Sequence, residues 1–240
     1  MGRVALVTGG SRGIGAAISA ALKEAGYTVA ANYAGNDEAA RAFSAETGIA
    51  VFKWDVSDHA ACAAGVAQVE EQLGGIDVLV NNAGISRDGF LHKMPEENWD
   101  LVIDVDLNSC FHMSQAVLNG MRGRGFGRIV SISSINGQAG MMGVVNYAAA
   151  KAGMLGFTKA LALENAFKGI TVNAICPGYV KTDLIAHVSD EVMGAIVKRI
   201  PVGRIGEPEE IARCVTFLAA DDAGFITGST LSVNGGAYMA

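Results

Sequence analysis

The segment VALVTGGSRGIG, residues Val4–Gly15, joins an apolar run to a glycine-rich turn and to the start of a helical pattern. The apolar run, taken as Arg3–Val7, does not alternate with polar residues, which is typical of a strand buried on both faces. Glycines follow at once, and a helical pattern begins at Gly13. Glycines let backbone N–H groups approach a phosphate at a helix N-terminus. The segment therefore predicts a nucleotide-binding turn between strand and helix; the alternative is a tight turn without a ligand.

The same strand-then-helix rhythm continues along the chain. Short apolar runs alternate with helical patterns, which favours a parallel sheet with right-handed crossovers. The sequence therefore predicts a Rossmann-type, doubly wound α/β fold: one domain over residues 1–240, with a seven-stranded parallel sheet and helices on both faces. The predicted strands are Arg3–Val7, Thr28–Tyr33, Ile49–Trp54, Ile76–Val80, Arg128–Ile132, Thr171–Cys176 and Ser229–Val233. The predicted helices are Gly13–Ala25, Asp37–Glu46, His59–Leu73, Glu96–Met121, Asn146–Phe167 and Glu207–Leu218.

Composition excludes several classes of function. Half of the 240 residues are hydrophobic, which suits a packed core, and the net charge of −6 offers no basic field for nucleic acid or an anionic membrane. We expect no membrane span, because no window holds the roughly 18 apolar residues that one needs, and no signal peptide. The four cysteines are scattered without a Cys-x-x-Cys pair. We therefore expect reduced thiols, no metal site and a cytoplasmic location.

Tyr147 and Lys151 stand four residues apart in a predicted helix. Side chains at i and i+4 share a helix face, so the ammonium lies beside the phenol. A nearby cation lowers the pKa of a tyrosine from its usual value of about 10. Such a phenol can give a proton to a carbonyl oxygen. The spacing predicts proton transfer, although a Tyr/Lys pair alone is more typical of a structural contact.

Four motifs follow predicted strands, at the edge of the sheet where open α/β folds bind ligands. They are Thr8–Gly15, Asp55-Val56, the NNAG run Asn81–Gly84, and Pro177-Gly178. In this order, and with the spacing Thr-Gly-x-x-x-Gly-x-Gly, the chain resembles the short-chain dehydrogenase/reductase family over essentially its whole length. The resemblance implies a nicotinamide cofactor. The cofactor residues that we assign are Gly9, Ser11, Arg12, Gly13, Ile14, Gly15, Asn32, Tyr33, Asp55, Val56, Asn82, Ala83, Gly84, Tyr147, Lys151, Pro177, Gly178, Val180 and Thr182.

The resemblance also implies a catalytic Ser-Tyr-Lys set. Ser134 precedes Tyr147 by thirteen residues, the family's spacing, and its hydroxyl would hydrogen-bond the substrate carbonyl; Ser133 is the competitor. Asp106 occupies the place of a family asparagine that holds a water linking the lysine to solvent. We assign this relay to Asp106, and the alternative is Asn108. The four histidines fall outside the family motifs.

The second strand decides between NAD and NADP. A carboxylate at its end would bind the ribose 2′-OH of NAD and repel a 2′-phosphate. Here no acid occurs until Asp37, and Arg12 supplies a guanidinium suited to a phosphate. The sequence predicts NADP(H); the alternative is an exposed Arg12 and use of either cofactor.

Substrate choice depends on the resemblance to one branch of the family. The runs Ser133–Gln138, Pro177–Tyr179 and Arg87–Met94 look similar to acetoacetyl-CoA reductases of polyhydroxybutyrate synthesis and, next, to 3-oxoacyl-[acyl-carrier-protein] reductases. This implies reduction of acetoacetyl-CoA to (R)-3-hydroxybutanoyl-CoA, with residues 184–200 as a lid. The expected substrate contacts are Asp88, Ser134, Gln138, Tyr147 and Tyr179, unless they form an ordinary polar rim.

The sequence also bears on possible protein partners and on the oligomeric state. An acyl carrier protein would need a basic patch near the mouth, for which Arg122, Arg124, Arg128 and Lys168 are candidates. A catalytically silent NADP-binding protein is the alternative from another class. The resemblance also implies a homotetramer built partly from the helices predicted over Glu96–Met121 and Asn146–Phe167.

Overall fold

The computed structural model describes residues 2–182 and 189–239. Seven strands form one sheet in which every pairing is parallel, in the order β3-β2-β1-β4-β5-β6-β7. The predicted doubly wound architecture and strand count are confirmed. The strands are β1 Val4–Val7, β2 Thr28–Tyr33, β3 Ala50–Lys53, β4 Ile76–Asn81, β5 Gly127–Ile132, β6 Ile170–Pro177 and β7 Thr230–Val233.

Helices cover both faces of the sheet. Along β1, the side chains of Val4 and Leu6 belong to one buried cluster and those of Ala5 and Val7 to the other. The first cluster takes apolar residues from the helices at residues 59–73, 109–124 and 145–165, and the second from those at 13–24 and 208–219. Burial of each large apolar side chain contributes about 1.5–3 kcal/mol. The helices are α1 Gly13–Glu24, α2 Asp37–Thr47, α3 His59–Leu73, α4 Glu96–Ile103, α5 Ser109–Arg124, α6 Ile135–Ala139, α7 Val145–Asn165, α8 Asp190–Val197 and α9 Pro208–Ala219.

The order of strands reverses between β1 and β4, which lie side by side at the centre of the sheet. Val7 is in register with Val80, so both strands end at the same level. The loops after them then diverge to opposite faces and leave a crevice, the usual ligand site of such sheets. The topology therefore brings the glycine-rich turn and the NNAG segment together.

The helix predicted over Glu96–Met121 contains an irregularity that the sequence did not reveal. A π-helical turn, Asp104–Asn108, joins α4 to α5 without interrupting the helical path. Asp106 lies in this turn and is completely buried. Single π turns often occur at functional sites.

The described residues contain no helix that is both long and apolar enough to cross a membrane.

Candidate active site

The loops after β1 and β4 are tied to each other by side chains. Thr8 Oγ1 accepts hydrogen bonds from the backbone N–H groups of Asn82, at 2.9 Å, and Ala83, at 3.0 Å. The Asn82 amide in turn donates to the carbonyl of Thr8 at 2.9 Å. A side chain at Gly15 would overlap the Gly9 carbonyl oxygen, so only glycine lets helix α1 start this close to the strand. The glycine-rich turn Thr8–Gly15 (the glycine loop) is therefore held in place where the order of the strands reverses.

The turn between β1 and α1 offers backbone N–H donors of the kind that a dinucleotide phosphate needs. Helix α1 begins at Gly13, and its first-turn N–H groups are donors that suit a phosphate. A Cβ at Gly13 would lie 3.7 Å from Thr182, so the segment after β6 closes over the glycine loop. Gly178 is fixed beside it by donating to the Val233 carbonyl at 3.0 Å. The residues assigned to the cofactor from sequence thus line one edge of the sheet.

At the end of β2, the polar side chain of Asn32, which we assigned to the cofactor, is already hydrogen-bonded within the protein. Asn32 is buried, and its amide donates to the Trp54 carbonyl at 3.0 Å while its oxygen accepts from Gly9 N–H at 3.4 Å. Asn32 therefore shapes the loop with backbone bonds. Asp37 forms an ion pair of 2.9 Å with Lys53, and this contact lowers the pKa of the Asp37 carboxyl. Its charge is thereby offset next to the expected ribose site.

Asp55 and Val56, which the sequence analysis assigned to the cofactor, follow β3 in a segment that makes its own hydrogen bonds. The Asp55 carboxylate is exposed and accepts from Ser57, through both N–H and hydroxyl, at 2.9 and 2.7 Å. Val56 is buried, and its carbonyl accepts from His112 Nδ1 at 3.1 Å. Asp55 thus offers a polar side chain and Val56 an apolar one at the carboxyl-end edge of the sheet.

Tyr147 and Lys151 lie on one face of α7. The Lys151 ammonium is 5.4 Å from the centre of the Tyr147 ring, and it donates to the Ile132 carbonyl at the end of β5 at 3.1 Å. Lys151 is only 3% exposed, so its charge acts in a medium of low polarity. Burial would lower the pKa of Lys151, but the charges of Asp106 and Tyr147 outweigh it and raise that pKa above its ordinary value.

The two candidate serines have different environments. Ser133 Oγ donates to the Lys151 backbone carbonyl at 2.8 Å, so its proton is committed to helix packing. Ser134 caps α6, where its Oγ accepts from Asn136 N–H at 3.1 Å. Accepting that bond leaves the Ser134 proton available to a substrate oxygen. The geometry favours Ser134 over Ser133.

Comparison with known proteins places this arrangement in a family. A family model described as enoyl-(acyl carrier protein) reductase matches residues 9–238. The chain belongs to the short-chain dehydrogenase/reductase family. It is 66% identical to an acetoacetyl-CoA reductase of Rhizobium meliloti and 65% identical to one of Shinella zoogloeoides, in each case over the whole of both chains. A 3-oxoacyl-[acyl-carrier-protein] reductase of Haemophilus influenzae is 45% identical over 99% of each chain.

Asp106, which the sequence analysis placed at the position of a family asparagine, contacts Lys151 and the backbone of Ile85. Its Oδ2 lies 3.1 Å from the Lys151 ammonium, and its Oδ1 accepts from Ile85 N–H at 2.8 Å. Burial raises the pKa of the Asp106 carboxyl, an effect that the Lys151 charge opposes. The alternative residue, Asn108, instead donates to Asp104 at 2.7 Å on the exposed side of the helix.

Asn146 is a functional candidate that the sequence reasoning missed. It is completely buried beside Tyr147, and its amide donates to the carbonyls of Arg87, at 3.0 Å, and Asn98, at 3.2 Å. Its oxygen accepts from Tyr147 N–H at 2.9 Å. Asn146 therefore ties the start of α7 to the loop after β4. A polar residue next to the motif tyrosine was the available signal, but its burial was not visible in the sequence.

Three of the expected substrate residues, Asp88, Gln138 and Tyr179, are hydrogen-bonded to protein neighbours. Gln138 and Ser232 exchange hydrogen bonds at 3.0 and 3.2 Å, and the Ser86 hydroxyl donates to Asp88. The Tyr179 hydroxyl donates to Met141 Sδ at 3.8 Å. These groups can contact a substrate only alongside their present partners or after exchanging them.

The basic patch expected near the mouth lies elsewhere. Arg128 is the second residue of β5, Arg124 contacts Asp77 near the start of β4, and Lys168 precedes β6. Arg122 contacts Asn165 at the end of α7. All four occupy the amino-end edge of the sheet, opposite the candidate site of the same chain. The sequence could not show this, because the edge on which a basic residue lies depends on the sheet topology.

The remaining expectations fall partly outside the described residues. Of the expected lid, residues 184–188 lie outside them; α8 occupies Asp190–Val197, and its cap Ser189 accepts from Val192 N–H at 3.5 Å. All four cysteines are unpaired, and burial raises the pKa of Cys62 to about 12. No group of three metal-binding side chains occurs within residues 2–182 and 189–239.

Proposed function

We propose that this chain reduces acetoacetyl-CoA to (R)-3-hydroxybutanoyl-CoA with NADPH. The observation that carries the proposal is the 66% identity, over the full length of both chains, to a protein named acetoacetyl-CoA reductase. In support, Ser134 offers a hydrogen-bond donor, Tyr147 a proton donor and Lys151 a positive charge, which are the groups that such a reduction requires.

NADPH supplies the hydride. The chain's own residues hold the ketone and provide its proton. Ser134 donates a hydrogen bond to the ketone oxygen, which polarises the carbonyl and stabilises the negative charge that develops there. Tyr147 then gives its hydroxyl proton to that oxygen. Lys151, held by the Ile132 carbonyl, keeps a positive charge beside the phenol and would bind a ribose hydroxyl of the cofactor.

Cofactor selection is assigned to Arg12 and the end of β2. Arg12 is exposed at the start of α1, where a guanidinium can pair with a 2′-phosphate. The pairing of Asp37 with Lys53 reduces the repulsion that a free carboxylate would impose. Together these features support NADPH as the preferred cofactor.

The alternative substrate is a 3-oxoacyl chain on acyl carrier protein. The identity to the relative of that name is 45%, against 66% for the acetoacetyl-CoA reductase, and the basic residues considered for carrier docking lie at the far edge of the sheet. These two observations favour the CoA thioester.

A paired assay tests the substrate. NADPH oxidation is followed with acetoacetyl-CoA and with acetoacetyl-carrier protein, and kcat/KM is compared. We expect the CoA thioester to be preferred at least about tenfold, which corresponds to about 1.4 kcal/mol of transition-state binding. A preference for the carrier-protein thioester would assign the chain to fatty-acid synthesis, and turnover of neither would remove the proposed function.

The proposal includes a cellular and structural setting. We assign residues 1–240 to one catalytic domain with residues 184–200 as the substrate lid, acting in the cytoplasm. A homotetramer would be built partly from α4, α5 and α7. Leu101, on α4, and Phe111, on α5, are exposed apolar residues that support contact with another subunit. Size-exclusion chromatography with light scattering tests the tetramer.

A further inference from the structure

His112, on α5, makes a contact that the proposed reaction does not use. Its ring is half-buried, and its Nδ1 lies 3.1 Å from the carbonyl oxygen of Val56, in the segment between β3 and α3. A carbonyl oxygen can only accept, so Nδ1 carries the hydrogen and donates it. The two residues are 56 positions apart in the sequence, and the bond therefore joins two distant elements of the chain.

The segment that receives this bond, residues 54–58, lies at the carboxyl-end edge of the sheet. Both of its ends are fixed by the adjoining elements. Trp54 N–H donates to the Tyr33 carbonyl at 3.1 Å, which holds one end to β2, and the Asp58 side chain caps α3 at the other end. Val56, midway between the ends, is held by side chains from outside the segment.

Two side chains donate to the Val56 carbonyl. One is the imidazole of His112, and the other is the thiol of Cys62 on α3, whose sulfur lies at 3.3 Å. A thiol is a weak donor, so the imidazole makes the stronger bond. Without His112, the middle of the segment would be held mainly by the weaker contact.

The order of the strands indicates which part of a dinucleotide this segment meets. β1 ends in the glycine loop, where we expect the pyrophosphate, and β2 ends beside the expected ribose site. Because β3 is the next strand outward, a base attached to that ribose extends towards residues 54–58. Ser134 and Tyr147 come after β5, on the opposite side of β1, where the nicotinamide would lie.

We infer that His112 is a positioning residue for the adenine half of the cofactor, an inference that rests on the proposed function. By holding the Val56 carbonyl, it keeps residues 54–58 in the shape that receives the base. This role is separate from proton transfer. Loss of the bond should therefore weaken the binding of the adenine nucleotide and have little effect on the catalytic step.

The test compares two substitutions of similar size. In His112→Asn, the side-chain N–H group lies the same number of bonds from Cα as Nδ1, so the donor is kept; in His112→Leu, a methyl group takes its place. Isothermal titration calorimetry with adenosine 2′,5′-bisphosphate, the adenine half of NADPH, measures binding without turnover. We expect the Kd to rise about fivefold in His112→Leu, the size of one lost hydrogen bond, and to stay within about twofold in His112→Asn.

Steady-state kinetics give a second readout. In His112→Leu, the KM for NADPH should rise by a similar factor, while kcat at saturating NADPH changes by less than about twofold. A general loss of structure would instead lower kcat as well. The split between KM and kcat thus separates positioning of the cofactor from damage to the fold.

His59→Leu is the matched control. The rings of His59 and Phe111 pack against the His112 ring, with centroids 5.1 and 5.6 Å away, but His59 Nε2 contacts Gln115 Oε1 at 2.7 Å rather than Val56. The control should leave the Kd within about twofold. Equal weakening in His59→Leu and His112→Leu would overturn the inference, because packing of the rings would then explain the effect.

An unchanged Kd in His112→Leu would also overturn it, as would equal weakening in His112→Asn. Thermal unfolding checks that each variant folds, and His112→Ala replaces His112→Leu if the latter does not. Failure of both to fold while His59→Leu folds would mean that His112 serves folding alone. A native chain that binds adenosine 2′,5′-bisphosphate but reduces neither thioester refutes the proposed substrate only, and the comparison of Kd values still decides the role of His112.

Discussion

Ser133 Oγ donates a 2.8 Å hydrogen bond to the backbone carbonyl of Lys151, which ties the end of β5 to the helix that carries Tyr147. Ser134, one residue later, instead accepts from Asn136 N–H and keeps its own proton. The two adjacent serines therefore differ: the Ser133 proton is used in packing, and the Ser134 proton is available to a substrate, so we assign them separate tasks.

Substitution of the two serines should separate these tasks. Ser134→Ala should lower kcat about 10²-fold or more by removing a donor to the developing oxyanion, with little change in NADPH affinity. Ser133→Ala should keep most turnover and lose about 1 kcal/mol of stability with its buried hydrogen bond. Steady-state kinetics and urea unfolding measure both effects. An equal loss of turnover in the two variants would mean that Ser133 contacts the substrate.

Asn146→Ala should weaken the junction between α7 and the loop after β4. It removes two donated bonds from the part-buried carbonyls of Arg87 and Asn98, a loss of about 2 kcal/mol in the free energy of unfolding. The KM for the thioester should rise because the loop beside Tyr147 loosens. Asn98→Ala is the control, since it retains its backbone carbonyl. A native KM and stability in Asn146→Ala would refute this role.

Arg12→Ala should reduce discrimination between the two nicotinamide cofactors. Loss of a guanidinium–phosphate contact is expected to raise the KM for NADPH about tenfold and to leave that for NADH nearly unchanged. Arg41→Ala, an exposed arginine on α2, serves as the charge-matched comparison. If NADH served the native chain as well as NADPH, Arg12 would have no part in selection.

The hydrogen bonds of Glu210 predict a local pH dependence of stability. Arg204 contacts its carboxylate at 2.7 and 2.8 Å and, with the Glu207 N–H, lowers the pKa of Glu210 to about 2. Since the folded state holds the ionised form more strongly, this stabilisation is present above the ordinary pKa of 4.5 and is lost as pH falls towards about 2. The Tm difference between native protein and Glu210→Gln should shrink accordingly on acidification. A constant difference down to about pH 2 would contradict the assignment.

The sequence predicted the parts of this protein that depend on local pattern. Uninterrupted apolar runs predicted the strands, and the spacing of Tyr147 and Lys151 placed both on one helix face. Which polar side chains are buried, and which way they point, depends on tertiary packing and could not be predicted from the sequence. The buried carboxylate of Asp106 lies in a π turn that the pattern did not predict. The contacts of Asn146 involve two distant carbonyls, and the position of Arg128 depends on the topology of the sheet.

Turnover of acetoacetyl-CoA by Tyr147→Phe, with NADPH binding followed by fluorescence, shows whether Tyr147 is the proton donor. The variant keeps the ring beside Lys151 but lacks the proton. We expect kcat to fall by about 10²–10⁴-fold while the Kd for NADPH stays within about twofold. Retention of most of the native turnover would contradict the assignment of Tyr147 as the proton donor.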